Sequence, residues 1–155
     1  RSETYATLAP KLLVAGYEVL PIVPNQKRPD ITGWTDINFR DPKTVDRYIR
    51  QCPSYGVGLK TGDVVVIDID CPRGDLAIEF QNRCFSMLGE APVRIGKAPK
   101  RALYYRKDGE PLDKKATQRY SADGTFFQVE VLGQGQQCVI YGVHPDTNAP
   151  YHWVG

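Results

Sequence analysis

The stretch VVVIDID at residues 64–70 constrains the fold more than any other part of the sequence. Residues 64–67 and Ile69 are β-branched, which is typical of a buried strand. Because side chains alternate between the two faces of a strand, Asp68 and Asp70 are predicted to project on the same side. Two neighbouring carboxylates repel each other and lose hydration unless a cation lies close by. Two interpretations stay open: the strand ends near Ile67 and the carboxylates meet water, or they bind a divalent metal ion.

A third carboxylate lies in the stretch FFQVEVLG at residues 126–133. Alternation along this strand places Glu130 on the face opposite Phe127, Val129 and Val131. An acid within an apolar strand is costly unless it faces water, is paired or binds a cation. Together with the two aspartates, Glu130 completes a set of oxygen ligands of the kind that Mg²⁺ and Mn²⁺ take. Such sites serve phosphoryl transfer when two metal ions are bound.

Cations and a flexible turn accompany these carboxylates along the chain. The candidates for holding a nucleotide's phosphates are Lys97, Lys100 and Arg101 in RIGKAPKRALYY, Gln136 in the turn GQGQQ, and His144 before a proline. A glycine in the turn permits close approach of the backbone to a ligand. Lys27 and Arg28 lie in a loop with Trp34, a composition found in grooves that bind single-stranded nucleic acid. Each of these groups of cations is also typical of an ordinary solvated surface. A structural role is the alternative for His144. For Trp34, packing in the core is favoured over stacking on a base.

Length and composition set the broad class of the protein. A chain of 155 residues, 41% hydrophobic and 25% charged, fits one globular domain. Its net charge of +2 is only a weak hint of a polyanionic partner, because it produces no strong global basic field. The sequence shows neither a signal peptide nor an apolar run long enough to span a bilayer, so no membrane partner is expected. Four scattered cysteines lack zinc-ligand spacing, which favours reduced thiols in the cytoplasm and no bound zinc.

Hydrophobic periodicity predicts an α+β fold with a mainly antiparallel sheet. Helices are expected over 3–16, from Asp41 onward and over about 74–87, and Pro10 predicts that the first helix starts late or is kinked. Strands are expected at 17–23, 55–60, 64–70, 101–106, 126–133 and 137–145, the last two forming a hairpin around Gly135. The polar stretch 107–125 is expected to be an exposed loop.

The chain resembles the N-terminal primase–polymerase domain of the archaeo-eukaryotic primase superfamily, the type fused to helicases in phages, plasmids and mobile elements. Three blocks carry the resemblance, in this order: GYEVLPIVPNQKRP followed by a tryptophan, VVVIDID as the first catalytic motif, and VEVLGQGQQCVIYGVHPDTNAPYHW as the third-motif region. The resemblance implies an RRM-like catalytic sheet over about 61–155 and a small N-terminal α/β lobe over about 1–60. It also implies that Asp68, Asp70 and Glu130 are metal ligands.

One position departs from the family pattern. The second motif of these proteins places a histidine on the middle strand, where it contacts the incoming nucleotide, and Ala102 stands at that position here. Lys100 or Arg101 is expected to supply the missing charge; otherwise the domain has lost catalytic strength. A zinc-stabilised insertion is not expected.

The expected activity is therefore template-directed nucleotidyl transfer with two Mg²⁺ or Mn²⁺ ions, as a DNA primase, a DNA polymerase or both. The expected partners are a single-stranded DNA template, a primer and ribo- or deoxyribonucleoside triphosphates. Because the chain begins with Arg1, it is expected to be a piece of a longer cytoplasmic replication protein with a C-terminal helicase. Two other functions stay open: a metal-dependent nuclease using the same carboxylates, and a catalytically weak module that binds single-stranded DNA for a helicase.

Overall fold

The fold is α+β, as predicted. A computed structural model describes residues 3–122 and 124–155. The helices in these residues are α1 (Tyr5–Val14), α2 (Pro42–Gln51) and α3 (Gly74–Leu88), with a 3-10 turn at Trp34–Asp36. The strands are β1 (Val19–Ile22), β2 (Gly56–Lys60), β3 (Val64–Asp70), β4 (Val93–Ile95), β5 (Arg101–Arg106), β6 (Lys115–Ala116), β7 (Tyr120–Ala122), β8 (Thr125–Leu132), β9 (Gln137–Tyr141) and β10 (His152–Val154). None of the described helices has the length and apolar character needed to cross a bilayer.

The chain divides into two compact units. The first consists of the chain up to Lys60 together with Gln137–Tyr151, and the second consists of Thr61–Gln136 and His152–Gly155. The first unit contains an antiparallel sheet in the order β1-β2-β9. The second contains an antiparallel sheet in the order β10-β4-β5-β3-β8-β6, with β7 paired to β8.

Helix α1 differs from its prediction at its N-terminus. It starts at Tyr5 rather than near the proline, because Thr4 and Thr7 form a reciprocal capping box. Pro10 lies inside the helix and leaves the carbonyl of Ala6 without its usual intrahelical donor. The buried hydroxyl of Tyr5 donates to the carbonyl of Val19, 3.1 Å away, which fixes α1 to the first strand. Capping therefore outweighs the proline in setting where the helix begins.

Strand β3 lies in the middle of the larger sheet, as its β-branched run predicts. It pairs with β5 on one side and with β8 on the other. Helix α3 packs on the face that carries Ile67 and Ile69. The core on this face also contains Cys71, Ala77, Val93, Ile95 and Leu103, with Phe80, Phe127, Val129 and Val131 packed against it. The opposite face of β3 carries the two aspartates.

Two predictions about the C-terminal half are wrong. Strands form near 126–133 and 137–145, but they do not make the expected hairpin: β9 pairs with β2 in the smaller sheet, whereas β8 pairs with β3, β6 and β7. The amide of Thr61 bonds to the carbonyl of Gln136, so the turn before β9 is tied to a different segment. The stretch 107–125 is not entirely loop, since β6 and β7 both lie within it and pair with β8.

Candidate active site

Three carboxylates lie on one face of the central strands. In the register of β3 and β8, Asp68 is directly opposite Glu130, and Asp70 is opposite Gln128. Directly opposed residues of an antiparallel pair project on the same side, so all three carboxylates share the face away from α3. Strand β3 continues through Asp70. The interpretation in which the strand ends near Ile67 is therefore wrong.

Two lysines accompany the carboxylates. The Nζ atom of Lys100 lies 2.8 Å from Oδ1 of Asp70, and Nζ of Lys114 lies 3.1 Å from Oε2 of Glu130. Lys100 immediately precedes β5, whereas Lys114 immediately precedes β6, so the cations approach from the two strands that flank the carboxylates. Each lysine offsets the repulsion between neighbouring acids. Lys100 was predicted as a site residue, but Lys114 was missed, because a lysine in a polar stretch looks like solvated surface.

The three carboxylates are ligands of the kind that Mg²⁺ or Mn²⁺ takes, although their oxygens do not converge on one point. Among residues 3–122 and 124–155, no group of three or more acidic, histidine or cysteine side chains is close enough together to hold a metal ion. The carboxylates of Asp70 and Glu130 each form an ion pair with a lysine instead of converging on a common point. All three ligand candidates present carboxylate oxygens, the donors that these hard cations take. The residues fit the cations in chemistry, provided that the lysines release them.

Asp68 lies between Glu130 on β8 and Ala102 on β5, the neighbouring strand on the other edge of β3. Asp68 is paired with Ala102 on β5, which in turn is paired with Arg94 on β4. Ala102 is 1% exposed and its methyl group has no hydrogen-bonding capacity. Arg94 therefore projects on the carboxylate face, about 10 Å from Asp68 at the usual strand spacing. Sequence reasoning missed Arg94, although a cation between Val93 and Ile95 in a three-residue apolar strand was a visible signal.

Arg101 does not join the carboxylates. It is paired with Ile69, so it projects on the face covered by α3. There its Nη1 donates to Oε1 of Gln81 at 2.6 Å and its Nε to the carbonyl of Pro99 at 3.0 Å. Partial burial lowers the pKa of Arg101 below its ordinary value, without threatening its charge at neutral pH. These contacts tie the start of β5 to α3.

Lys97 and Gln136 help to shape the turns of the second unit. The carbonyl of Lys97 accepts a hydrogen bond from the amide of Lys100 at 3.0 Å, which closes the turn that presents Lys100. The side chain of Lys97 is exposed. The carbonyl of Gln136 accepts from the amide of Thr61, whose hydroxyl donates to the carbonyl of Gly133. A nucleotide-binding role for Lys97 and Gln136 stays a prediction.

The remaining predicted residues belong to the first unit. His144 is 4% exposed, and its Nδ1 accepts a hydrogen bond from the amide of Asp146 at 3.0 Å. The His144 ring lies 5.3 Å from the ring of Tyr151. These contacts hold the histidine in its turn, and a nucleotide-binding role for His144 stays a prediction. Lys27 and Arg28 are exposed, as a role in binding nucleic acid requires, but that role also stays a prediction.

Comparison with known families identifies the chain. The family model for the N-terminal domain of bifunctional DNA primase/polymerases, called Prim-Pol, matches residues 9–155. The chain belongs to the Prim-Pol family. No curated protein sequence matches this Prim-Pol domain closely. Family membership confirms the resemblance and supports a function of the DNA primase/polymerase type, which is a nucleotidyltransferase-type activity.

Proposed function

We propose that this Prim-Pol domain catalyses template-directed nucleotidyl transfer, by starting DNA primers, extending them or both. The observation that carries the proposal is the register of the central strands, which places Asp68 directly opposite Glu130 with Asp70 on the same face. Membership of a primase/polymerase family makes phosphoryl transfer the chemistry to which such a face is best suited.

Asp68, Asp70 and Glu130 would hold two Mg²⁺ or Mn²⁺ ions. When bound, these ions supply the positive charge that orients the nucleotide phosphates and makes the primer hydroxyl more acidic. In the reaction, the 3′-oxygen of the primer forms a bond to the α-phosphorus of the incoming nucleotide and loses its proton to solvent. The bond between that phosphorus and the bridging oxygen breaks, and pyrophosphate leaves.

The cations of the carboxylate face would bind the triphosphate. Lys100 is the first candidate, because it already reaches this face from the strand that lacks the family's histidine. Once Asp70 is engaged elsewhere, the Lys100 ammonium can turn to the β- and γ-phosphates as a charge-assisted donor. Arg94, in the same row as Asp68, is the second candidate. Phosphoryl transfer depends on such positioning and electrostatic stabilisation.

The wider context is also a proposal. The substrates would be nucleoside triphosphates on a primed single-stranded DNA template, in the replication of a phage, plasmid or mobile element. Lys27 and Arg28 would contact the template. A helicase, fused or associated, would supply the single strand in the cytoplasm of the host cell.

A primer-extension assay tests the proposal. The protein is incubated with a labelled primer on a longer template, all four nucleotides and Mn²⁺ or Mg²⁺, beside the double variant Asp68→Asn/Asp70→Asn. The matched control is Asp75→Asn, since Asp75 is an aspartate of the same unit, lies in the first turn of α3 and is paired with Arg73 just before that helix. Template-dependent extension by the wild type and by the control, lost in the double variant, is the expected result. Degradation of the DNA without nucleotides would instead identify a nuclease.

The single-strand-binding module has two specific observations in its favour. Ala102 replaces the histidine of the family's second motif, and lysines are paired with two of the three carboxylates. On this alternative, the double variant would bind single-stranded DNA as tightly as the wild type, and neither protein would extend a primer.

A further inference from the structure

Phe126 and Phe127 are neighbours on β8 with opposite environments. Phe127 projects on the α3 side, where its ring lies 6.0 Å from that of Phe80 and is stacked on Tyr120 at 5.4 Å. Phe126 projects on the other face and is 62% exposed. The hairpin of β7 and β8 is therefore anchored through Phe127, and its packing does not explain an aromatic residue at position 126.

The exposed ring shares a face with the carboxylates. Along β8, the side chains of Phe126, Gln128 and Glu130 project on the same side. Phe126 is four residues from Glu130, which is about 13 Å in a regular strand. This separation corresponds to about four stacked nucleotides of a strand. A template strand that passes the carboxylates therefore has the reach to meet this ring.

The surroundings of Phe126 suit a phosphate backbone. The residue opposite it on β7 is Ser121, a small exposed side chain that leaves the ring open. The segment that carries β6 and β7, residues 114–122, contains Lys114, Lys115 and Arg119 but no acidic residue. Lys115 is opposite Val131 and so projects on the α3 face, and Lys114 is paired with Glu130. Arg119 is exposed and immediately precedes β7, two residues from Ser121. An exposed guanidinium near an uncovered aromatic ring combines backbone neutralisation with base stacking, the two elements of single-strand binding.

We propose that Phe126 is a stacking platform for a base of the single-stranded DNA template, about four nucleotides from the carboxylates. The ring stacks on one base face, and Arg119 attracts the adjoining phosphate. Because every base has a π-face, the contact tolerates any sequence, as a templating strand requires. The proposal rests on the proposed function for the identity of the strand as DNA.

The test is equilibrium binding of a fluorescently labelled oligothymidylate by anisotropy, at low salt and with a chelator so that no chemistry occurs. Phe126→Ala is expected to weaken binding by about five-fold to a hundred-fold, the range measured for loss of one stacking contact. Phe126→Leu should lose as much, because leucine keeps apolar area but has no π-face. Phe126→Trp should bind at least as tightly as the wild type.

The matched control is Met87→Ala on α3, which removes an exposed apolar side chain that is 83% accessible. It should leave the affinity unchanged. Thermal melting of each variant checks that the hairpin still folds. Because Phe126 is exposed, the variants at this position should have the same melting temperature as the wild type.

Four results would overturn the proposal, and they are distinguishable. Unchanged affinity in Phe126→Ala, with normal primer extension, would remove the platform and leave the proposed function intact. Full affinity in Phe126→Leu would mean apolar contact without stacking. A change of self-association in gel filtration, in place of a change in DNA affinity, would identify the ring as a protein contact. Failure of the wild type to bind the oligonucleotide at all would also contradict the proposed function.

Discussion

The two faces of the strand pair β3 and β8 have the same backbone but opposite chemistry. One face presents Ile67, Ile69 and Val129 to the core under α3. The other presents Asp68, Asp70 and Glu130, with lysines paired to two of them. Period-two alternation produces both faces from one sequence stretch. The comparison teaches that stability and chemistry are assigned to alternate residues, so neighbouring substitutions should have different consequences.

The largest effect is expected on the carboxylate face. Asp68→Asn should lower primer extension on the order of a thousand-fold, because it removes a carboxylate that would hold the metal ions whose positive charge stabilises the transition state. Its melting temperature in chelator should equal or exceed that of the wild type, since one source of repulsion is gone. Extension kinetics and a melting curve on the same preparation check both statements. Extension at the wild-type rate would exclude Asp68 from the site.

The adjacent residue should behave in the opposite way. Ile69 is 0% exposed, so Ile69→Ala should cost about 2–5 kcal/mol of unfolding free energy by leaving a cavity under α3. Activity per folded molecule should be largely retained at low temperature. Urea titration followed by extension assays would separate the two quantities. If Ile69→Ala also strongly lowered the activity per folded molecule, the assignment of stability to one face and chemistry to the other would be wrong.

A substitution at Lys100 tests whether the cations of the carboxylate face bind the phosphates of the nucleotide. Lys100→Met should raise the apparent KM for nucleotide by about ten-fold or more, the value of one charge-assisted hydrogen bond. Lys11→Met, at an exposed position on α1, is the charge-matched control. Steady-state kinetics with varied nucleotide provides the measurement. An unchanged KM would exclude Lys100 from the phosphate site.

The smallest effect is expected at Lys114. Its pairing with Glu130 is partly exposed, so Lys114→Met should change the unfolding free energy by less than about 1 kcal/mol. By freeing Glu130 from a competing cation, the change should tighten Mn²⁺ binding a few-fold, by about the energy of one partly screened ion pair. Titration calorimetry without nucleotide measures this. Weaker Mn²⁺ binding would show that the lysine helps to assemble the site.

Local patterns were sufficient to predict much of the fold. The β-branched run at 64–67 predicted the central strand, and the spacing of apolar residues predicted α3 to within about one residue of its end. Alternation also placed Asp68, Asp70 and Glu130 on polar faces. These features depend on neighbours in the sequence, which is why they could be predicted.

Features that depend on distant partners could not be predicted. The turn around Gly135 resembles a hairpin, but Thr61 bonds to the backbone at Gly133 and Gln136, and β9 pairs with β2 instead. A Cβ atom at Gly133 would overlap the carbonyl oxygen of Leu112, so glycine is required there by a remote segment. The face on which Arg101 projects likewise follows from the register of β5 against β3, which the sequence does not specify.

The lysines beside the carboxylates have a consequence for how the newly made chain folds. A cluster of acids that only a metal ion could neutralise would make folding depend on the supply of that ion. Here the chain carries its own counter-ions, Lys100 and Lys114, to two of the acids. Under the proposed two-metal function, the newly made domain would therefore reach its final shape in metal-poor surroundings and bind metal ions afterwards.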